Sequence, residues 1–162
     1  MTCVKVMNVM RAATVGDVET VKQWLTAPHT RHPGQVAQVL ERAASHGHDN
    51  ICQLMLDSGH VSDDAISAAL EAACGRNQQS TAQLLLRHGH INTHDLTDAL
   101  LATSVHGHMR IVTWLISDVM QLSHSDRIKW LLSTACARGD ISDIKQLAAQ
   151  VDSDVTRATS QA

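Results

Sequence analysis

Two stretches of the chain, SHGHDN at 45–50 and VHGHMR at 105–110, share a His-Gly-His core. Histidine exchanges its proton near pH 6.5 and is the commonest metal ligand. The pattern could therefore be a set of metal ligands, a catalytic element used twice, or the mark of a chain that repeats itself. A zinc site needs three or four ligands converging within about 2–2.3 Å of one ion. The best local set is His88, His90 and His94, which share one loop. Other chemistry is poorly supplied. There is no GxSxG, no phosphate-binding Gly-Lys loop, no HExxH and no dinucleotide fingerprint. Cys52 and Cys74 fall on apolar positions of helical patterns, where a free Cys acts as a small hydrophobe. The pair Asp63-Asp64 stands at a helix start, where the helix dipole accounts for it. No nucleophile, base and orienting group come together, so no catalysis, cofactor or metal is expected.

The elements that must position these residues are set by internal repetition. Around Gly47 the chain reads LERAASHG and then HDNICQLML. The same frame returns at Gly16 (VMRAATVG, DVETVKQWL), at Asn77 (LEAACGRN, QQSTAQLLL), at Gly107 (LLATSVHG, HMRIVTWLI) and at Gly139 (LLSTACARG, DISDIKQLA). The anchors are spaced 31, 30, 30 and 32 residues apart. Each copy reads as two helices. In the first, apolar residues recur at helical spacing: Val36, Leu40, Ala43 and Ala44, then Ile66, Leu70, Ala73 and Cys74, then Ile128, Leu132, Ala135 and Cys136. The anchor Gly supplies the positive φ that ends a helix sharply. The second helix carries runs such as Ile51, Cys52, Leu54, Met55 and Leu56. Helix starts are signalled by Ser62-Asp63-Asp64, Thr93-His94-Asp95 and Ser125-Asp126.

Composition agrees with close-packed helices. The chain has no Phe or Tyr and 3 Trp, and its apolar content is Ala, Leu, Val, Ile and Met. Ala lets helix backbones approach and has the best helix propensity. Trp24 and Trp114 sit at second-helix apolar positions and are expected in the core. The formal net charge is −3, without the strongly basic balance of many nucleic-acid binders. Cys3, Cys52, Cys74 and Cys136 are scattered, as expected for reduced thiols in the cytoplasm. No apolar run reaches a membrane span, and the N-terminus lacks the long apolar segment of a secretory signal.

A unit of about 30 residues cannot bury its own apolar face and must stack on its neighbours. The copies are expected to form one all-α solenoid over residues 1–150. Its repeats cover about 5–34, 35–63, 64–94, 95–125 and 126–150, with a polar, disordered tail at 151–162. RAASHGHDNICQLMLDSGH and EAACGRNQQSTAQLLLRHGH resemble the ankyrin repeat, with AA-x-x-G, a turn residue such as His, then LL and a small residue with Gly. The resemblance spans roughly residues 7–150. No copy has the TPLH opening of the common repeat of about 33 residues, and the segment after SGH or HGH is short. Truncated β-hairpin fingers and almost no strand are therefore expected. The tetratricopeptide alternative needs a longer repeat and large aromatics, both missing here.

The resemblance also implies a geometry, with first helices lining a concave face where partners bind. His48 and His108 then occupy a turn position with a structural job. Two frame positions point outward. The residue before each anchor reads Val15, His46, Arg76, His106 and Arg138; the one four residues earlier reads Arg11, Arg42, Ala72, Ala102 and Thr134. Together with Trp130, the residues Arg11, Arg42, His46, Arg76, His106 and Arg138 are the expected site, and an acidic protein segment is the expected partner. The histidines among them predict tighter binding at mildly acidic pH. The Pro-bearing connection TAPHTRHPG, at 26–34, is a further contact candidate. The chain is expected to be a monomer that binds neither nucleic acid nor membrane. Two other readings are a substrate-targeting module of a larger bacterial effector or viral enzyme, and a His-based metal protein. The first repeat begins almost at Met1, as it would in a module cut from a longer chain.

Overall fold

The computed structural model of the chain describes residues 2–27, 32–89 and 91–119. Four helix pairs follow one another: α1 (Thr2–Val15) with α2 (Val18–Thr26), α3 (Pro33–Ser45) with α4 (Asp49–Asp57), α5 (Asp63–Gly75) with α6 (Gln79–His88), and α7 (Thr93–His106) with α8 (Met109–Trp114). A π-helical turn, Leu115–Val119, continues α8. Among the described residues there is no strand, as the short finger segments predict. The fifth copy and the tail lie outside the described residues.

The first helices α1, α3, α5 and α7 pack side by side in chain order, and α2, α4 and α6 form a second layer behind them. Small residues make this possible. At the fourth and third positions before each anchor stand Ala12-Ala13, Ala43-Ala44, Ala73-Cys74 and Thr103-Ser104, all buried. Where the fourth copy replaces Ala with hydroxyls, both Oγ atoms donate to the Leu100 carbonyl at 2.7 Å. A buried hydroxyl without that bond would cost stability. Between these ridges Leu40, Leu70 and Leu100 are fully buried, as are Ile51, Met55, Leu85 and Ile111 behind them. Each such side chain contributes about 1.5–3 kcal/mol on burial. Asp49 accepts a hydrogen bond from the Thr81 hydroxyl, which ties α4 to α6.

Each first helix ends in the same way. Gly16, Gly47 and Gly107 have φ of +87°, +74° and +76°, and Asn77 takes the same role at +62°. Asn is among the few residues with a Cβ that tolerate this region. The N–H after the anchor then reaches back to the carbonyl four residues before it. The bonds are Asp17 N to Ala12 O (2.9 Å), His48 N to Ala43 O (3.0 Å), Gln78 N to Ala73 O (2.9 Å) and His108 N to Thr103 O (2.9 Å). This closure satisfies a carbonyl of the last turn that the helix itself leaves open.

Helix starts are capped more variably. Ser62 accepts from Ala65 N. At α7 the cap is Asn92, one residue before the expected Thr93-His94-Asp95, and Asp95 closes a reciprocal capping box. Pro33 opens α3, where its missing N–H costs nothing.

Candidate interaction groove

The first-helix layer turns one face to solvent, and a groove of about 570 Å³ runs across it between α3, α5 and α7. Arg42, His46, Arg76 and His106 all line it, and all four are exposed. They come from three successive repeats, brought together because their frame positions coincide and the helices stack in register. Arg11 is exposed on α1 but does not line this groove. Trp130 and Arg138 lie outside the described residues.

The groove histidines are held by one local device. His46 Nδ1 donates to the Arg42 carbonyl at 2.9 Å, and His106 Nδ1 donates to the Ala102 carbonyl at 2.8 Å. A carbonyl only accepts, so the ring nitrogen carries the proton and Nε2 is left for another partner. Each bond also ends a helix with an imidazole, a favourable place for a group that can become positive. Among the described residues the guanidinium groups of Arg42 and Arg76 have no ion pair. The pair found there is an exposed contact of 3.7 Å between His94 and Asp98 on α7.

The second histidine of each His-Gly-His has a different task. His48 Nε2 donates to the Thr14 carbonyl of the preceding repeat at 2.9 Å, and His108 Nε2 donates to the Gly75 carbonyl at 3.0 Å. Their rings stack almost parallel on the groove histidines, with centroids 6.2 Å apart for His46–His48 and 6.0 Å for His106–His108. The motif is thus one exposed ring facing the groove and one inner ring tying two repeats, as expected for a structural turn residue.

Among the described residues metal and nucleophilic chemistry find no assembly. Among the described residues no group of three His, Cys, Asp or Glu is placed to hold an ion. Of the loop set, His88 and His94 are exposed and His90 lies outside the described residues. Burial pushes the Cys52 thiol up to about 12, aided by the charge of Asp49, and burial alone does the same for Cys74. Neither supplies a thiolate near neutral pH. Trp24 is buried as expected, whereas Trp114 is only half-buried, against a second recess formed with Leu86, Ile91 and Leu96. In the 26–34 connection, residues 28–31 lie outside the described residues.

Two acids of the groove, Glu41 and Glu71, escape a reading confined to two frame positions. Both stand six residues before their anchors, and their recurrence there is the signal that could have found them. The floor between the charges is built from Ala68, Ala72, Gly75 and Ala102. No described helix is long and apolar enough to cross a membrane.

Comparison with protein families matches residues 9–95 to ankyrin repeats, in 3 copies. No curated protein and no solved structure matches the chain.

Proposed function

Because the chain belongs to the ankyrin repeat family, whose repeats are generally protein–protein interaction modules, we propose that it binds an acidic segment of another protein in the groove across α3, α5 and α7, without catalysis. The observation that carries this reading is the convergence of Arg42, His46, Arg76 and His106 on one open groove, with no ion pair to a described residue. A free guanidinium presents a planar fork of donors that matches a carboxylate in bidentate geometry. Arg11 extends the basic row toward the N-terminal end. A fifth repeat over 126–150 would extend it with Arg138 and Trp130. The reading includes a monomer in a reducing, cytosol-like compartment, bound to neither nucleic acid nor membrane.

The test is affinity capture from lysate with the wild type and with Arg42→Glu/Arg76→Glu, after circular dichroism shows equal helicity. Captured proteins are cross-linked, and the linked peptides are identified by mass spectrometry. The expected result is a protein held by the wild type, joined through an Asp/Glu-rich segment, and weakened at least about tenfold by the charge reversal. Equal capture by both forms, or cross-links only to the second-helix layer, rejects the reading.

A further inference from the structure

One residue of the groove has no structural reason to be what it is. Gly75 lies within the last turn of α5 and has no positive φ. A Cβ built on it would meet nothing closer than the His106 ring at 3.7 Å and the Ala102 Cβ at 3.9 Å. Those are ordinary van der Waals contacts, so the fold has room for alanine. Its carbonyl serves His108, but alanine would keep that carbonyl. Glycine inside a helix is destabilising relative to alanine. The same frame position carries a side chain in the other described copies, as Thr14, Ser45 and Val105. By contrast Gly16 has a φ of +87° and the His48 ring within 2.9 Å of an added Cβ.

What the missing side chain does is deepen the groove. Gly75 is buried beside the Ala102 methyl group. Ala68 and Ala72 line the same groove, and so do Arg42, Arg76, His46 and His106. The volume of about 570 Å³ falls within the range of roughly 300–1,000 Å³ typical of ligand pockets. Glu71 stands at the edge of the same floor. A run of consecutive carboxylates would place one of them against Glu71, and like charges brought together at an interface are penalised. An acidic segment fits best if its acids are interrupted where it crosses α5.

We propose that the floor over Gly75 receives one bulky apolar side chain of the bound protein segment, flanked by carboxylates that engage Arg42 and Arg76. This rests on the reading of the groove as an acidic-segment site and specifies which acidic segment it takes. The floor offers C–H surface to an aliphatic or aromatic side chain, and Arg42 and Arg76, which line the same groove, set the positions of the acids.

The probe is a random peptide library displayed on phage and selected on the full chain. The best peptide is then titrated by fluorescence anisotropy against the wild type, Gly75→Ala, Ala72→Leu and Arg42→Glu/Arg76→Glu. The expected consensus is Phe, Trp, Leu or Met between Asp or Glu residues. Gly75→Ala should raise Tm by about 2 °C while weakening the peptide about tenfold, the effect of one extra methyl group in a filled apolar pocket. Ala72→Leu should weaken it further. Three results would overturn the proposal while leaving the acidic-segment site standing: a purely acidic consensus, wild-type affinity in Gly75→Ala, or a lower Tm in that variant. Binding that ignores Arg42→Glu/Arg76→Glu, or a library that yields no peptide, overturns both.

Discussion

His46 and His48 are two residues apart, and so are His106 and His108, yet the members of each pair belong to different regions of the molecule. The inner row follows the anchors as Asp17, His48, Gln78 and His108; the outer row precedes them as Val15, His46, Arg76 and His106. In the inner row a side chain meets a fixed demand from the neighbouring repeat. His48 and His108 reach back to a carbonyl there, and Gln78 lies against Gly47, within 2.5 Å of where a Cβ would stand. None of the three caps its own second helix, although each occupies the N-cap position. The two histidines forgo a local cap for a bond between repeats, and Gln78 instead packs against Gly47 of the preceding repeat. In the outer row no side chain bonds to a neighbouring repeat; His46 and His106 bond only within their own helices, and Val15 and Arg76 stand at the same position. A row fixed by packing belongs to the scaffold, and a row the scaffold leaves free is available to recognition.

The sharpest way to break this comparison is at an anchor. Gly16→Ala puts a Cβ into the left-handed region and within 2.9 Å of the His48 ring. That ring is itself bonded to Thr14 O, so it cannot move aside without losing its partner. A loss of about 1–3 kcal/mol in urea unfolding is expected. Wild-type stability would mean the inner row is not under the demand assigned to it.

The next contrast is between the two histidines themselves. His108→Ala leaves the half-buried Gly75 carbonyl without its side-chain partner and should cost about 1–2 kcal/mol. His106→Ala removes an exposed ring and should change stability by no more than about 0.5 kcal/mol, while lowering affinity for the bound segment. Chemical unfolding of both variants, with peptide titration beside it, gives the two numbers for each. If His106→Ala were the more destabilising, the outer row would be part of the scaffold and the assignment of the groove would fail.

The same division decides what was legible in the sequence. The anchors, the buried Ala pairs and the turn histidines repeat because each copy meets the same physical demand. Periodicity therefore exposed the helix pairs, and even Asn77 could be placed as an anchor beside the glycines. The cap at Asn92 was missed by one residue because Asn, Thr and Asp all suit helix starts, and only the closed box with Asp95 distinguishes them. The groove was half legible. Arg42, His46, Arg76 and His106 follow from outward positions on one helix. Glu41 and Glu71 do not, because their position, on the other edge of the helix, faces the groove only once the next repeat stands beside it. Gly75 was unreadable for a related reason: whether a glycine serves a turn or a cavity depends on what stands around it, and those neighbours come from α7.

The smallest expected effect lies at the first member of the inner row. Among the described residues no repeat stands before α1 for Asp17 to reach, and its side chain instead caps α2, accepting from Thr20 N at 3.2 Å. The Thr20 hydroxyl also donates to it, and these two bonds, the hydroxyl's first, hold the carboxyl below its ordinary value of 3.8. A carboxylate with a lowered folded pKa adds stability that is present above its unfolded value and is lost as pH falls through the folded one. Asn is a comparable cap without the charge, so Asp17→Asn isolates the ionic part. The wild type should melt slightly above the variant near neutral pH, and the difference should begin to shrink as the pH falls toward 3.8 and close only below the lowered folded value. A Tm difference that persists in acid would assign it to the shape of the cap alone. A difference absent at every pH would mean the exposed charge adds nothing, and that the inner row matters only where it joins two repeats.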